Sequence, residues 1–539
     1  MADVPRPARS GPLLQVVGTT LRRNTLGPRG CTGALVSREA EAGRWVKTEC
    51  DRRRALFLLG AAAAFPFVAP RIARGGGQVD RASSPATRAP VHPLVSTVRC
   101  PVSQPGDPRY GGFTASWNGC VRASPAAVVH AQTADDVAST VRWIRSEGVP
   151  LAVRSGGHSF VGDSTGDGVV LDLSGISTIE SGATDGTVQV GGGVRNGPLG
   201  AALYHRMDHR TMTLGSCASV GMSGLTLGGG FNALSRVHGL AIDVLEEVEL
   251  VLADGSIVLA SAREHSDIFW ALRGGGGGFG VVTRMTFRHR PWVPVHSTTV
   301  RWSFDAGPAV LAAWSRWIDA LPAGASSSLV WITSGSAENS QVRVIVHSER
   351  SATARDALVR SLRAAVNIAP TSERSSASTP PAARHVLRAS GPRSSNASAL
   401  ADGVAHPEAI DALSAAFSER VRPGGCAGTA MLICNALGGA VASVAPDATA
   451  FAHRGARFIA EVAAEWEPDR ADLDARNRAW VRATIDAARP GLGSGAYVNY
   501  ADAGLRDWRR AYWGANLARL EEVKRVVDPA RVFAGKQSV

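Results

Sequence analysis

Three runs of glycine constrain this chain more than anything else in it. Leu214 to Phe231 reads LGSCASVGMSGLTLGGGF, with a lone cysteine, Cys217, among small residues. Arg273 to Gly280 reads RGGGGGFG, and about sixty residues before Cys217 stands a third loop, Arg154-Ser-Gly-Gly-His-Ser159. Glycine weakens both helices and strands, so such runs mark places where backbone must approach something closely. That something is often a phosphate-bearing ligand, cradled by backbone N–H groups. Here one loop offers a histidine and another a cysteine.

The chain has 539 residues, enough for two domains with sizeable cores. Its 45% hydrophobic and 19% charged residues read as soluble and globular. The net charge of +12 suggests nucleic acid, but its distribution does not. Residues 1–74 hold 13 of the 58 basic and 5 of the 46 acidic residues, so eight of the twelve net charges sit there. No basic stripe with interleaved aromatics follows, and nucleic acid is excluded as a partner. The Arg, Ala and Gly load points to a GC-rich bacterial source.

Residues 1–50 show no periodicity and read as unstructured, or as a misassigned start. From Asp51 the text becomes DRRRALFLLGAAAAFPFVAP. An arginine pair ahead of an apolar run too short to span a bilayer reads as a twin-arginine-like export signal over 51–75. A linker over 76–95 follows. This expects a secreted or extracytoplasmic protein with no stable membrane insertion after cleavage.

Ala134–Gly148 has apolar residues at helical spacing behind Thr133, a good N-cap. VPLAVR then reads as a strand, RSGGHSF as a loop and 168–176 as another strand. Asp254-Gly255 between VELVL and SIVLAS is a hairpin signal. Gly275, Gly277 and Gly280 form a G-x-G-x-x-G, but a helix-like DIFWALR precedes it and a strand follows. A dinucleotide-binding fingerprint needs the reverse order, so that reading is rejected.

Taken together, RSGGHS, G-x-C-x-x-V-G, LGGGF, DIFWALRGGGGGFGVV and the C-terminal YVNY through YWG to QS resemble the berberine bridge enzyme-like family. Its FAD-binding fold is shared with vanillyl-alcohol oxidase and p-cresol methylhydroxylase. The resemblance runs from about Pro105 to Val539. It implies an α+β protein: a FAD-binding domain split in sequence (96–295 and 491–539), and a substrate-binding domain over 296–490. The latter would be an antiparallel sheet with helices on one face, its bare face roofing the flavin.

Residue by residue, the resemblance implies covalent FAD. The histidine that bonds the flavin 8α-methyl matches His158, and the cysteine that bonds flavin carbon 6 matches Cys217. A neutral imidazole and a thiolate are the nucleophiles such an electron-poor ring takes. Further flavin contacts are implied for Arg154, Ser155, Gly156, Gly157 and Ser159. Gly215, Val220, Gly221, Gly224 and Val282 follow in the later loops, with Tyr497 and Asn499 near the C-terminus. Val220 matches the position where valine admits oxygen. Tyr500, the second tyrosine of Y-x-N-Y, matches the base that takes a substrate hydroxyl proton. A tyrosine titrating near ~10 needs a nearby cation or partner for that task. Ala218, Leu225 and Val244 depart from the family's usual Pro, His and Asn.

From about Pro294, TTVRWSF, SSLVWITSG and QVRVIVHS read as strands, and AVLAAWSRWIDAL and ATARDALVRSLRAAV as amphipathic helices. Residues 371–400 read as a Ser/Pro/Arg-rich surface loop. His453 and Arg454 read as structural. Export would permit Cys100–Cys120 and Cys426–Cys434 disulfides, and no Cys/His grouping has metal-ligand spacing. The expectation is an oxidase moving hydride from an alcohol, sugar or secondary metabolite to flavin N5, with O2 as acceptor and H2O2 as product. A dehydrogenase with another acceptor, and a non-catalytic flavin-binding protein, are the alternatives.

Overall fold

A computed structural model describes residues 92–334, 339–381, 391–422 and 428–539. The expectations for the unstructured start, the export signal and nearly all of the linker lie outside them, as does Cys426. No helix among the described residues is long and apolar enough to cross a membrane.

The first helix of the glycine-loop region forms as the sequence dictates. It spans Ala134–Glu147; Thr133 and Asp136 close a capping box at its start, and Gly148 ends it in the left-handed region. Such a cap contributes about 1 kcal/mol. Val137, Val141 and Ile144 bury its apolar face in a core shared with the first sheet. That sheet has β1 (Val102–Ser103), β2 (Ala127–His130), β3 (Leu151–Arg154) and β4 (Val169–Asp172), ordered β1-β2-β4-β3. β3 and β2 both pair parallel with β4, so the Arg154 loop leaves the end of a half-buried parallel edge strand.

A second, antiparallel sheet carries β5 (Ile179–Ser181), β6 (Thr187–Gly191), β8 (Leu245–Val251), β9 (Ile257–Ser261) and β10 (Val281–Arg288), ordered β5-β6-β10-β8-β9. Asp254-Gly255 turns β8 into β9, with Gly255 at φ +80°. A two-residue pairing joins β7 (Arg210–Thr211) to β11 (Arg290–Pro291). Ala496, Tyr512, Trp513, Leu520 and Val539 share this sheet's core, so the C-terminal chain packs back onto it.

The third sheet has seven strands: β12 (His296–Ser303), β13 (Ala325–Thr333), β14 (Gln341–Ser348), β15 (Ser372–Ala377), β16 (Arg393–Ala401), β17 (Thr429–Ala436) and β18 (Phe458–Trp466). Their order is β15-β12-β14-β13-β17-β18-β16, every pairing antiparallel. Helices Gly307–Trp317, Ala352–Val366, Pro407–Val421 and Asp474–Ala488 share one core with this sheet. Strand alternation decides the rest. Val342, Val344 and Val346 of β14 point to the helices, as do Leu432 and Cys434 of β17 and Phe458, Ala460, Val462 and Ala464 of β18. The residues between them face the other way. Leu400 and Ile459 from that second face pack with Phe231, Phe451 and Tyr497, so it covers the glycine-loop region.

Two expectations need correction. Residues 371–400 are not one surface loop: β15 pairs with β12 and β16 with β18. β16 reads RSSNASALA, poor in strand-forming residues, yet small side chains let it lie buried beside the Asp474–Ala488 helix, and burial outweighs propensity. Cys100 and Cys120 are also not joined. Cys100 is buried with the Ala134–Glu147 helix, whereas Cys120 packs against the seven-stranded sheet's core. Cys434 is likewise a free, buried thiol.

Candidate active site

The loops at Arg154 and Cys217 meet backbone to backbone. A Cβ on Gly156 would lie 2.2 Å from the Gly221 nitrogen, and one on Gly221 would lie 2.3 Å from Ser155 Oγ. Only glycine permits that approach. Gly157, at φ +73°, turns the loop under the Arg154 guanidinium. Arg154 is buried and donates to the carbonyls of Ala115, Ser164 and Gly112, so its charge anchors the loop from behind. Ser155 Oγ donates to Gly192 O at 2.8 Å, and Ser159 Oγ accepts from the Gly162 and Asp163 amides.

His158 is thereby fixed at the loop tip. The Trp117 indole stacks on its imidazole, 5.1 Å between ring centres and 19° from parallel. Its Nε2 lies 2.9 Å from Ser219 Oγ, a residue of the cysteine loop. Burial, with Arg195 and Arg154 nearby, pushes its pKa down to about 3, so the ring is neutral at any working pH.

Asn196, buried at the start of the Asn196–Arg206 helix, holds the cysteine loop. Its side-chain oxygen accepts from the Gly215 amide at 3.2 Å, and its nitrogen donates to the Cys217 carbonyl at 3.0 Å. The Val220 carbonyl accepts from the Asn196 amide at 3.0 Å. The Cys217 thiol is open to solvent yet walled by protein, which places it in a cleft. Those walls raise its pKa through desolvation first and then through Glu461 and Glu465. Gly224, on the short Met222–Leu227 helix that follows, has no heavy atom within 4 Å of where a Cβ would stand. Buried Thr226 Oγ1, two residues on, has no hydrogen-bond partner.

The C-terminal motif closes the cleft. Tyr497 Oη accepts from the Gly230 amide at 3.0 Å within the LGGGF turn, and Asn499 Nδ2 donates to Leu225 O at 2.8 Å in the helix that leads into it. Tyr500 packs edge-on to Phe160, Phe231 and Tyr497. Among the described residues, the charged group that acts most on its phenol is the carboxyl of Glu461 on β18. Burial and that carboxyl hold the phenol well above its ordinary range. Burial and neighbouring Glu465 in turn push Glu461 up to about 8, while Glu465 is raised to about 7. Val282 lies apart: its side chain is in the second sheet's core, and its carbonyl backs Gly192. His453 and Arg454 are structural, bonded to the Ala511 and Tyr512 carbonyls and to Asp243.

Four residues of the candidate site do not stand out in the sequence: Glu461, Glu465, Trp117 and Asn196. The first two carried a signal. FIAEVAAEW is apolar except for two glutamates four apart, which in a strand share one face. Trp117 and Asn196 act through loops whose contacts only the fold reveals.

Open space beside Gly224, the orphaned Thr226 hydroxyl, a neutral imidazole and an accessible thiol together fit a flat, polar, electron-poor ring. Residues 125–261 match the FAD binding domain family, and residues 496–539 match the family described as berberine and berberine like. An FAD-linked oxidoreductase of Bacillus subtilis strain 168, YgaK, is 30% identical over 448 residues, spanning 80% of this chain and 95% of the relative. The Physcomitrella patens BBE-like 1 structure is similar at TM-score 0.75 and 26% identity, covering 84% of this chain and 99% of that one. The glucooligosaccharide oxidase of Acremonium strictum shares the fold at TM-score 0.75 and 23% identity, over 83% of this chain and 98% of that one. The chain belongs to the berberine bridge enzyme-like family of FAD-linked oxidoreductases.

Proposed function

We propose that this enzyme is an oxidase: it takes hydride from a carbon bearing a hydroxyl group, with O2 as final acceptor and H2O2 as product. The observation that carries this reading is the Tyr500 phenol lying close to the Glu461 carboxyl, with the Cys217 thiol near enough to feel both. FAD, when bound, supplies the hydride acceptor and passes the electrons on.

The chain's own residues manage attachment and the proton. Neutral His158 is a nucleophile; Ser219 engages Nε2, which leaves Nδ1 for a bond to the cofactor. Cys217 is the second attachment point. The Acremonium enzyme, which shares this fold, carries a 6-S-cysteinyl, 8α-N1-histidyl FAD, the pairing proposed here. Val220, held by backbone bonds to the Cys217 carbonyl and the Asn196 amide, is assigned to the oxygen-admitting position on the strength of the family resemblance.

As the substrate C–H leaves, the substrate O–H donates its proton to Tyr500 Oη, and the Tyr500 O–H proton passes to the Glu461 carboxylate. This relay removes the need for a tyrosinate, which burial disfavours. Glu461 must be ionised to receive the proton, so turnover rises as pH climbs toward about 8. Export by the 51–75 segment completes the proposal.

Anaerobic mixing with candidate alcohols and sugars, followed by admission of air, tests it. The oxidase reading expects flavin bleaching by substrate and rapid recolouring in air with peroxide formed. Bleaching that air does not reverse, while an artificial acceptor does, makes the enzyme a dehydrogenase.

A further inference from the structure

The sheet face that covers the cleft is polarised in a way the proton relay does not use. β18 contributes Glu461 and Glu465 at one side. Two strands of the other half contribute Arg301 and Arg343, which sit directly opposite each other on β12 and β14. Like charges in that position destabilise a sheet unless something compensates. Nothing among the described residues does: the charges that act on Arg343 and Arg301 are other arginines, Arg301 and Arg374 respectively.

Arg343 is the sharper anomaly. It is only 5% exposed, yet its Nε and Nη2 atoms are buried without a hydrogen-bond partner. An uncompensated buried guanidinium is costly, and a guanidinium fork is shaped for a carboxylate. Alternation places it on the face away from the helices, because Val342 and Val344 on either side of it point to them; the β16–β18 half of that same face covers the glycine loops. It also shares a cross-strand row with the relay: Arg343 pairs with Val330, Val330 with Ile433, and Ile433 with Glu461. Three strand spacings make that row about 14 Å long, the length of roughly two or three six-membered rings.

We propose that Arg343, supported by Arg301, is a subsite for a carboxylate on the substrate, about 14 Å from the Tyr500–Glu461 pair. The substrate is then an acidic molecule whose hydroxyl-bearing carbon reacts at one end while its carboxylate is held at the other. This rests on the oxidase reading, and it adds the charge and length of the substrate.

The test uses the FAD-loaded enzyme with two kinds of probe. Inorganic sulfate is a non-reacting oxyanion; uronate-ended disaccharides and their methyl esters are matched reacting pairs. At ionic strength held constant with chloride, sulfate is expected to raise the melting temperature of the wild-type enzyme and leave Arg343→Gln unmoved. Arg343→Lys, which keeps the charge and loses the fork, retains part of the shift, and Arg301→Gln reduces it. The esters are expected to show KM at least tenfold above the acids, a gap that closes in Arg343→Gln. Equal sulfate shifts in wild type and Arg343→Gln, or no shift in either, overturn the subsite. So do acids and esters that bleach the flavin equally well. A sulfate shift that depends on Arg343 while no probe bleaches the flavin keeps the subsite and removes the oxidase reading.

Discussion

Two groups of the candidate site, His158 and Glu461, are both tuned away from charge by the protein around them. His158 is held neutral, and Glu461 keeps its proton until the pH approaches 8. Replacing Glu461 with Gln leaves the Tyr500 hydroxyl without an acceptor for its proton. The expected loss in kcat is at least about 100-fold, the usual scale for a proton-transfer group, together with loss of the rise in activity between pH 6 and 8. Tyr500→Phe is expected to match it, and the double variant to cost little more than either alone. A fully additive double variant would place the two residues on separate tasks. Cys217 is tuned as well. Desolvation and two glutamates raise its pKa, so thiolate is scarce at neutral pH. Incubating His158→Ala apoprotein with FAD should therefore form a Cys217 adduct faster at pH 9 than at pH 7. Mass spectrometry over time reads this, and a rate indifferent to pH contradicts it.

At the level of elements, the glycine loops work because neighbouring segments hold them. Asn196 bridges Gly215 and Cys217 from the end of a helix. Asn196→Ala orphans both groups and should cost about 1–3 kcal/mol, with Cys217 attachment impaired and His158 attachment kept. Melting temperature and adduct mass together check this. Much of the architecture was legible beforehand. Thr133 and Gly148 bracket their helix, Asp254-Gly255 turns its hairpin, and the alternation of TTVRWSF and QVRVIVHS marks strands. These signals are local and depend on backbone preference. β16 was not legible, since RSSNASALA carries no strand propensity and forms only because β18 and a helix bury it. The partner of Tyr500 was also hidden. The motif demanded a cation or partner, and Glu461 lies 39 positions away, brought close only by sheet packing.

The whole molecule carries opposed pH dependences. Glu461 and Glu465 have folded pKa values of about 8 and about 7, above their ordinary 4.5. The folded state therefore holds protons the unfolded chain has lost, and stability falls as pH rises from 4.5 through 8. His158 and His347 are depressed to about 3 and about 4, so the unfolded chain takes up protons first as pH drops below 6.5. Stability falls on that side too. Thermal unfolding of the holoenzyme is expected to peak in mildly acidic buffer, and Glu461→Gln to flatten the alkaline decline. Activity should instead climb toward pH 8, because the ionised form of Glu461 that serves as base is the form burial penalises. The central claim is that His158 and Cys217 both bind FAD. The most direct measurement is intact mass under denaturing conditions for the wild type, His158→Ala, Cys217→Ala and the double variant. One FAD mass is expected to survive in the first three and vanish in the last. An adduct lost in His158→Ala alone would reduce Cys217 to an unreactive thiol, and no adduct in the wild type would contradict the account of the site.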